Sequence, residues 1–275
     1  MEILICTDGS KSSLQSAELV RKLGFPVTTR IITLGVSENK VDVEKLTGSM
    51  SQIDKSLGKA YALTQKLRYG NPIDEILAEA LESSCDLVAV GGGREQLGLL
   101  HPQVGSTTSR LARKLHTHFL VARNLPEELG KILVCTGGDA PANDTMKLGG
   151  AWISKTIAQI GLLHVIQSSH LGSVTREISE ISNKKQSFED KQPHELLLER
   201  ARQQLRDAGV SSEIVLRIRS GLVVEEILNE LSDGGYQLLV VGAHFQPGRD
   251  RWQGTLLDDV TDQLLNRSTC SLLII

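Results

Sequence analysis

Short runs of aliphatic and β-branched residues alternate along the chain with longer stretches whose apolar residues recur every three or four positions. That alternation marks βα units that build a parallel sheet. In the first half the apolar runs predict strands over 2–7, 29–36, 61–69, 86–91 and 118–122, and the helical period predicts helices over 11–23, 40–57, 72–83 and 106–116. Ser10 stands where it can cap the first helix, and Gly24-Phe25-Pro26 follows where it can stop it. The second half repeats the order, with strands predicted over 131–136, 160–166, 212–219, 237–242 and 269–275.

The repetition extends to the residues. Ile3-Leu4-Ile5-Cys6-Thr7-Asp8-Gly9-Ser10 returns as Ile132-Leu133-Val134-Cys135-Thr136-Gly137-Gly138-Asp139, and Glu75-Ile76-Leu77-Ala78-Glu79 returns as Glu226-Ile227-Leu228-Asn229-Glu230. The copies lie 129 positions apart at the strand and 151 at the helix, so the second carries 22 more residues between them. The excess falls in the polar stretch from Gln167 to Pro193, which has too few large apolar residues to offset ordering entropy and is expected to form a mobile loop or a loosely docked helix. A chain of 275 residues suits two domains. They are expected at 1–123 and 131–275, joined by a linker at 124–130. The predicted fold class is α/β: two consecutive open five-stranded parallel-sheet domains flanked by helices, packed as an internal pseudo-dimer because one patch can serve both homologous halves.

Composition narrows the partners. A net charge of −3 and 3% aromatic residues give neither a basic footprint nor stacking rings, which argues against nucleic acid. The first ten residues lack the pattern of a signal peptide, and no apolar run approaches the roughly 20 residues of a membrane helix, so no membrane partner and a cytoplasmic location are expected. Cys6, Cys85, Cys135 and Cys270 lie far apart beside apolar runs and are expected to be reduced, half-buried core residues.

In an open parallel sheet, ligands bind where strands end and helices begin. In the first half those places hold Thr7-Asp8, then Gly91-Gly92-Gly93-Arg94, then Gly105-Ser106-Thr107-Thr108. Successive glycines let backbone approach a bulky anion, and a helix start offers unpaired N–H groups, so the set points to a phosphate-bearing ligand. The chain holds no HExxH, no GxSxG, no Walker GxxxxGK[ST] and no GxGxxG at the glycine run. His116 and His118 are expected at the surface or a sheet edge, and Trp152 and Trp252 in packing.

These residues resemble the universal stress proteins, and specifically their tandem two-domain members. The resemblance spans nearly the whole chain and rests on the opening strand with Asp8, on Cys85-Asp86-Leu87-Val88-Ala89-Val90-Gly91, on Gly105-Ser106, and on the ending Leu115 to Arg123; Gln237 to Gly242, Gly254-Thr255 and Leu265 to Ile275 match in the second copy. It implies an adenine nucleotide α-hydrolase-like fold and a stress-response protein that binds ATP, with or without Mg2+ on its phosphates. Little or no catalysis is implied, weak ATP hydrolysis at most. Carried over, Asp8 faces the ribose, the backbone at Val36 meets the adenine, Gly91 begins the phosphate loop with Gly93 and Arg94 within it, and Gly105, Ser106 and Thr107 close it; Thr7, beside Asp8, belongs to the same cofactor-binding set. Arg94 occupies the family's second glycine position, and the loop before Gly105 is one residue longer. In the second copy Gly137 replaces the Asp, Phe245 replaces the second glycine, and Asp258-Asp259 occupy the helix start, so nucleotide binding is assigned to the first half. The alternatives are a dimerisation and interaction module of the same family, with a homodimer as the assembly, and an adenylating or electron-transfer flavoprotein enzyme of the broad fold.

Overall fold

A computed structural model of the chain describes residues 1–38, 42–92, 105–137, 144–167, 176–177, 193–242 and 259–275. The strands among them are β1 (Glu2–Thr7), β2 (Arg30–Ser37), β3 (Ala62–Tyr69), β4 (Leu87–Gly91), β5 (His118–Ala122), β6 (Lys131–Cys135), β7 (Gln159–Gln167), β8 (Arg176–Glu177), β9 (Ile214–Gly221), β10 (Leu238–Val241) and β11 (Ser271–Ile274). The helices are α1 (Lys11–Lys22), α2 (Val43–Leu57), α3 (Pro72–Glu82), α4 (Ser106–Ala112), α5 (Gly150–Ile153), α6 (Pro193–Asp207), α7 (Val223–Gly234) and α8 (Asp259–Arg267). Two elements differ from expectation. β8 is a two-residue strand antiparallel to β9 inside the polar stretch, most of which lies outside the described residues. Helix α4 ends early, because the Lys114 amide bonds to the Leu111 carbonyl three residues back and tightens the turn.

The described strands form one sheet in the order β3-β2-β1-β4-β5-β11-β10-β6-β7-β9-β8. Read outward from the middle, the five strands β5-β4-β1-β2-β3 mirror β11-β10-β6-β7-β9, and every pairing within each set is parallel. The sets meet at β5 and β11, which run antiparallel with Val121, Leu120 and Phe119 opposite Leu272, Leu273 and Ile274. Leu120 lies beside Ala89, the third residue of β4, and Leu273 beside Val240, the third residue of β10. Each leucine therefore faces its own counterpart, and a local two-fold axis passes between them. Pairing also removes what would otherwise be two exposed apolar edges.

Both faces of the sheet are covered, as runs such as Ile3-Leu4-Ile5, buried in alternate directions, require. One core gathers Ile3, Ile5 and Ile31 under α1 and α2, and continues through Ile132 and Ile160 under α5 and α6. The other gathers Leu4, Ile32 and Val88 under α3 and α4, and Leu133, Leu163 and Leu239 under α7 and α8. Trp152 packs against Phe25 and His118 of the first set, with ring centroids 5.4 and 5.2 Å away. The surface-or-edge reading therefore suits exposed His116 but not His118, which lies half-buried in an interior strand; burial lowers its pKa. Trp252 lies outside the described residues.

Side chains reinforce the junction. Buried Arg123 crosses from the end of β5 to the end of α8, where its guanidinium donates to the carbonyls of Leu265 and Ser268, each at 2.8 Å. Its amide donates to Ser271 Oγ, and that hydroxyl donates back to the Arg123 carbonyl. Burial pushes its pKa down to about 10, so the charge persists at neutral pH against the negative end of α8. The repeated Glu motif has a physical cause as well. Glu79 on α3 accepts from Lys66 Nζ at 2.6 Å and Arg68 Nε at 2.8 Å, both on β3. Glu230 on α7 accepts from Arg219 Nε of β9 at 2.7 Å. Each helix is thereby locked onto the outer parallel strand before it.

Replacing Arg123 by Ala strands two buried carbonyls, and urea denaturation should show a loss of about 2–4 kcal/mol. Burial acts to raise the Glu79 carboxyl, but bonds from Lys66, Ser83 and Arg68 outweigh it and hold its pKa below the usual 4.5. Its contribution is therefore present above about pH 4.5 and is lost as pH falls through the lowered value. Denaturation midpoints of Glu79→Gln should show a shallower decline than wild type over that acid window.

Candidate functional site

On the α3/α4 face, at the carboxyl ends of β1, β2 and β4, the structure opens into a cleft of about 170 Å3. Strand alternation brings Cys6 and Asp8, Leu34 and Val36, and Val90 to one side. Ile76, Pro72 and Leu111 complete the apolar wall, and Thr7, Ser12, Ser13, Thr107 and Thr108 add hydroxyl groups or backbone at the rim.

Of the predicted site residues, Thr7, Asp8, Val36, Gly91 and Thr107 line this cleft. Gly105 and Ser106 begin α4 beside it, and Gly93 and Arg94 lie outside the described residues. Asp8 is exposed, and its Oδ1 accepts from the Ser10 amide at 2.9 Å, closing a turn that leads into α1. The cap of α1 is Ser10, whose Oγ accepts from the Ser13 amide at 3.3 Å. Thr7 is buried, and its hydroxyl meets Ser13 Oγ of α1 at 2.8 Å, Ser49 Oγ of α2 at 2.7 Å and the Gly9 amide at 3.1 Å. One donor and two acceptor sites are all a hydroxyl has, so these three bonds saturate Thr7. Its hydroxyl ties two helices to β1.

The glycines divide by physical role. A Cβ on Gly91 would lie 2.5 Å from the backbone of Ser12, so glycine is demanded there by the approach of α1 to the end of β4. At Gly105 a Cβ would meet only Thr108 Oγ1, at 3.9 Å. Thr108 bonds back to the Gly91 carbonyl at 3.4 Å and so brings the start of α4 to the cleft. Among the described lining residues Asp8 is the one charged group. Lys45 of α2 donates to the Asp8 carbonyl at 3.2 Å.

Burial pushes the Cys6 thiol well above its usual range, so it stays protonated and is no nucleophile. Cys85 and Cys270 are pushed up to about 12 and about 11, chiefly by burial, and the four cysteines are unpaired with one another. Among the described residues no group of three or more His, Cys, Asp or Glu side chains is arranged to hold a metal, and no helix is long and apolar enough to cross a membrane.

Sequence motifs missed the cleft's apolar wall. Period-two alternation through Cys6, Leu34, Val36 and Val90 is the signal that points to it. In the second half Thr136, Gly137, Val165 and Gly242 stand at the matching strand ends, without a carboxylate in the place of Asp8. Asp259 occupies the first turn of α8, while Phe245, Gly254 and Asp258 lie outside the described residues.

Comparison with known proteins bears on this architecture. The model of the universal stress protein family matches residues 128–275. No curated protein matches the chain. Among solved structures, a universal stress protein from Archaeoglobus fulgidus DSM 4304 superimposes with a TM-score of 0.65 at 15% identity, covering 99% of this chain and 97% of the other. A functionally unknown protein from Pseudomonas aeruginosa PAO1 superimposes with a TM-score of 0.68 at 15% identity, covering 100% and 92%. At such identities the likeness is one of fold, and it extends over both halves. The family match covers more than half of the chain, which belongs to the universal stress protein family.

Proposed function

We propose that the first half, residues 1–123, is a domain that holds an adenine nucleotide, ATP, with little or no catalysis. Residues 131–275 then form a second domain whose matching strand ends have lost the site, and 124–130 the linker. The observation that carries this reading is the cleft itself, which gathers Thr7, Asp8, Val36, Gly91 and Thr107 at the ends of β1, β2 and β4. Its volume of about 170 Å3 is below the roughly 300–1,000 Å3 of whole ligand pockets. It suits a base and sugar, with the phosphates outside, toward Gly105, Ser106 and Thr107. Leu34, Val36 and Val90 offer the apolar surface a base needs, and the exposed Asp8 carboxylate can accept from ribose hydroxyls. Gly105 leaves backbone accessible among the described residues, as a phosphate contact requires.

A second reading, an interaction module without nucleotide, is favoured by one observation. None of the described lining residues is cationic, so no described side chain in the cleft neutralises a triphosphate. The same experiment separates the two.

ATP at about one hundred times its dissociation constant should stabilise the folded chain by about 2.7 kcal/mol, a rise of several degrees in melting temperature. Asp8→Ala should remove most of that rise and cost the ligand-free protein only its exposed turn bond to the Ser10 amide, about 1 kcal/mol. No shift in wild-type protein stripped of ligand, with or without Mg2+, would leave the interaction module standing. Gly91→Ala should behave differently, lowering the ligand-free stability by about 1–3 kcal/mol because its methyl group meets the backbone of α1.

A further inference from the structure

Two histidines that lie 30 positions apart in the sequence meet on the other face of the sheet, in the second half. His164 follows Leu163 in β7 and is buried, with its Nδ1 3.0 Å from the Thr136 carbonyl. A carbonyl only accepts, so Nδ1 carries the hydrogen and Nε2 presents a lone pair. That Nε2 lies 3.1 Å from Nδ1 of His194, in the first turn of α6, and the two ring planes are 24° apart. We propose that His164 and His194 bind one divalent transition-metal ion of the Zn2+, Ni2+ or Cu2+ class.

Two features support the assignment. Metal-binding imidazoles characteristically donate their second nitrogen to a carbonyl or carboxylate that fixes the ring, as His164 does to Thr136. Two nitrogens 3.1 Å apart can be neighbouring ligands of one ion at about 2.0–2.1 Å, with an angle of about 100° at the metal. Neutral nitrogen donors without an added carboxylate select this class over Mg2+ or Ca2+. Among the described residues no third ligand joins them.

The first half is built differently at the same place. Gly35 stands where His164 does, 129 positions earlier, and the space above it is filled by Leu46 and Met50 of α2. The site therefore belongs to the second half and is independent of the cleft.

Zn2+ titrated calorimetrically into the full chain at about pH 7.5 should bind with one equivalent whose affinity falls at least about tenfold in His194→Ala and in His164→Gln. His194 is half-buried on a helix, so its variant decides the matter if His164→Gln folds poorly. Exposed His116→Gln should bind as wild type. Cu2+ bound to wild type should show two imidazole nitrogens by electron paramagnetic resonance, and one in His194→Ala. Unchanged Zn2+ affinity in folded His194→Ala, or a wild-type Cu2+ spectrum without two nitrogens, would overturn the site.

Discussion

Where β5 meets β11, two parallel sets of strands run antiparallel to each other, with Leu120 opposite Leu273, and the arrangement of both halves depends on that register. A parallel strand at a set's edge leaves a row of backbone donors and acceptors open, and homologous edges are complementary to one another only when related by a two-fold axis. The pairing buries Phe119, Leu120, Leu272 and Leu273 between helices of both halves. Arg123 then sets the end of the junction, because no shorter side chain would reach both the Leu265 and the Ser268 carbonyls. A buried guanidinium is tolerated there through the carbonyls it serves and the helix end it faces.

With the junction fixed, the ends of β1, β2 and β4 stand clear of it, since β5 and the second set of strands lie on the other side of β4. The elements around the cleft are held by bonds internal to the protein. Thr7 joins α1 and α2 to β1, Glu79 joins α3 to β3, and Thr108 joins α4 to β4. Such prior anchoring is what lets a ligand bind without ordering its own walls. It also separates residues that shape the cleft from those able to touch a ligand: Thr7 and Gly91 are spent on packing, whereas Asp8 and Gly105 present themselves outward.

The halves share topology and the Glu–Arg lock but diverge at their strand ends. Asp8 becomes Gly137 on one side of the sheet, and Gly35 becomes His164 on the other. Two halves of matching topology whose stability rests on similar packing tolerate different residues at each set of loops.

The strand and helix pattern, the repetition and the family resemblance were legible in the sequence because period and turn chemistry are local properties. The ten expected strands fell within two residues of expectation, and Asp8, Val36 and Thr107 reached one cleft. Three things were not legible. The interior place of His118 depends on which edges of the two sheets meet, and so on contacts across the junction. The saturation of Thr7 depends on hydroxyls of α1 and α2, up to 42 positions away. The meeting of His164 with His194 depends on α6 lying along β7, which no spacing encodes. Sequence by itself determined the βα units and which residues stand at the strand ends, since each follows from neighbours along the chain; only the tertiary structure decided which polar groups were already paired and which were free, because pairing is settled by residues that come together in space.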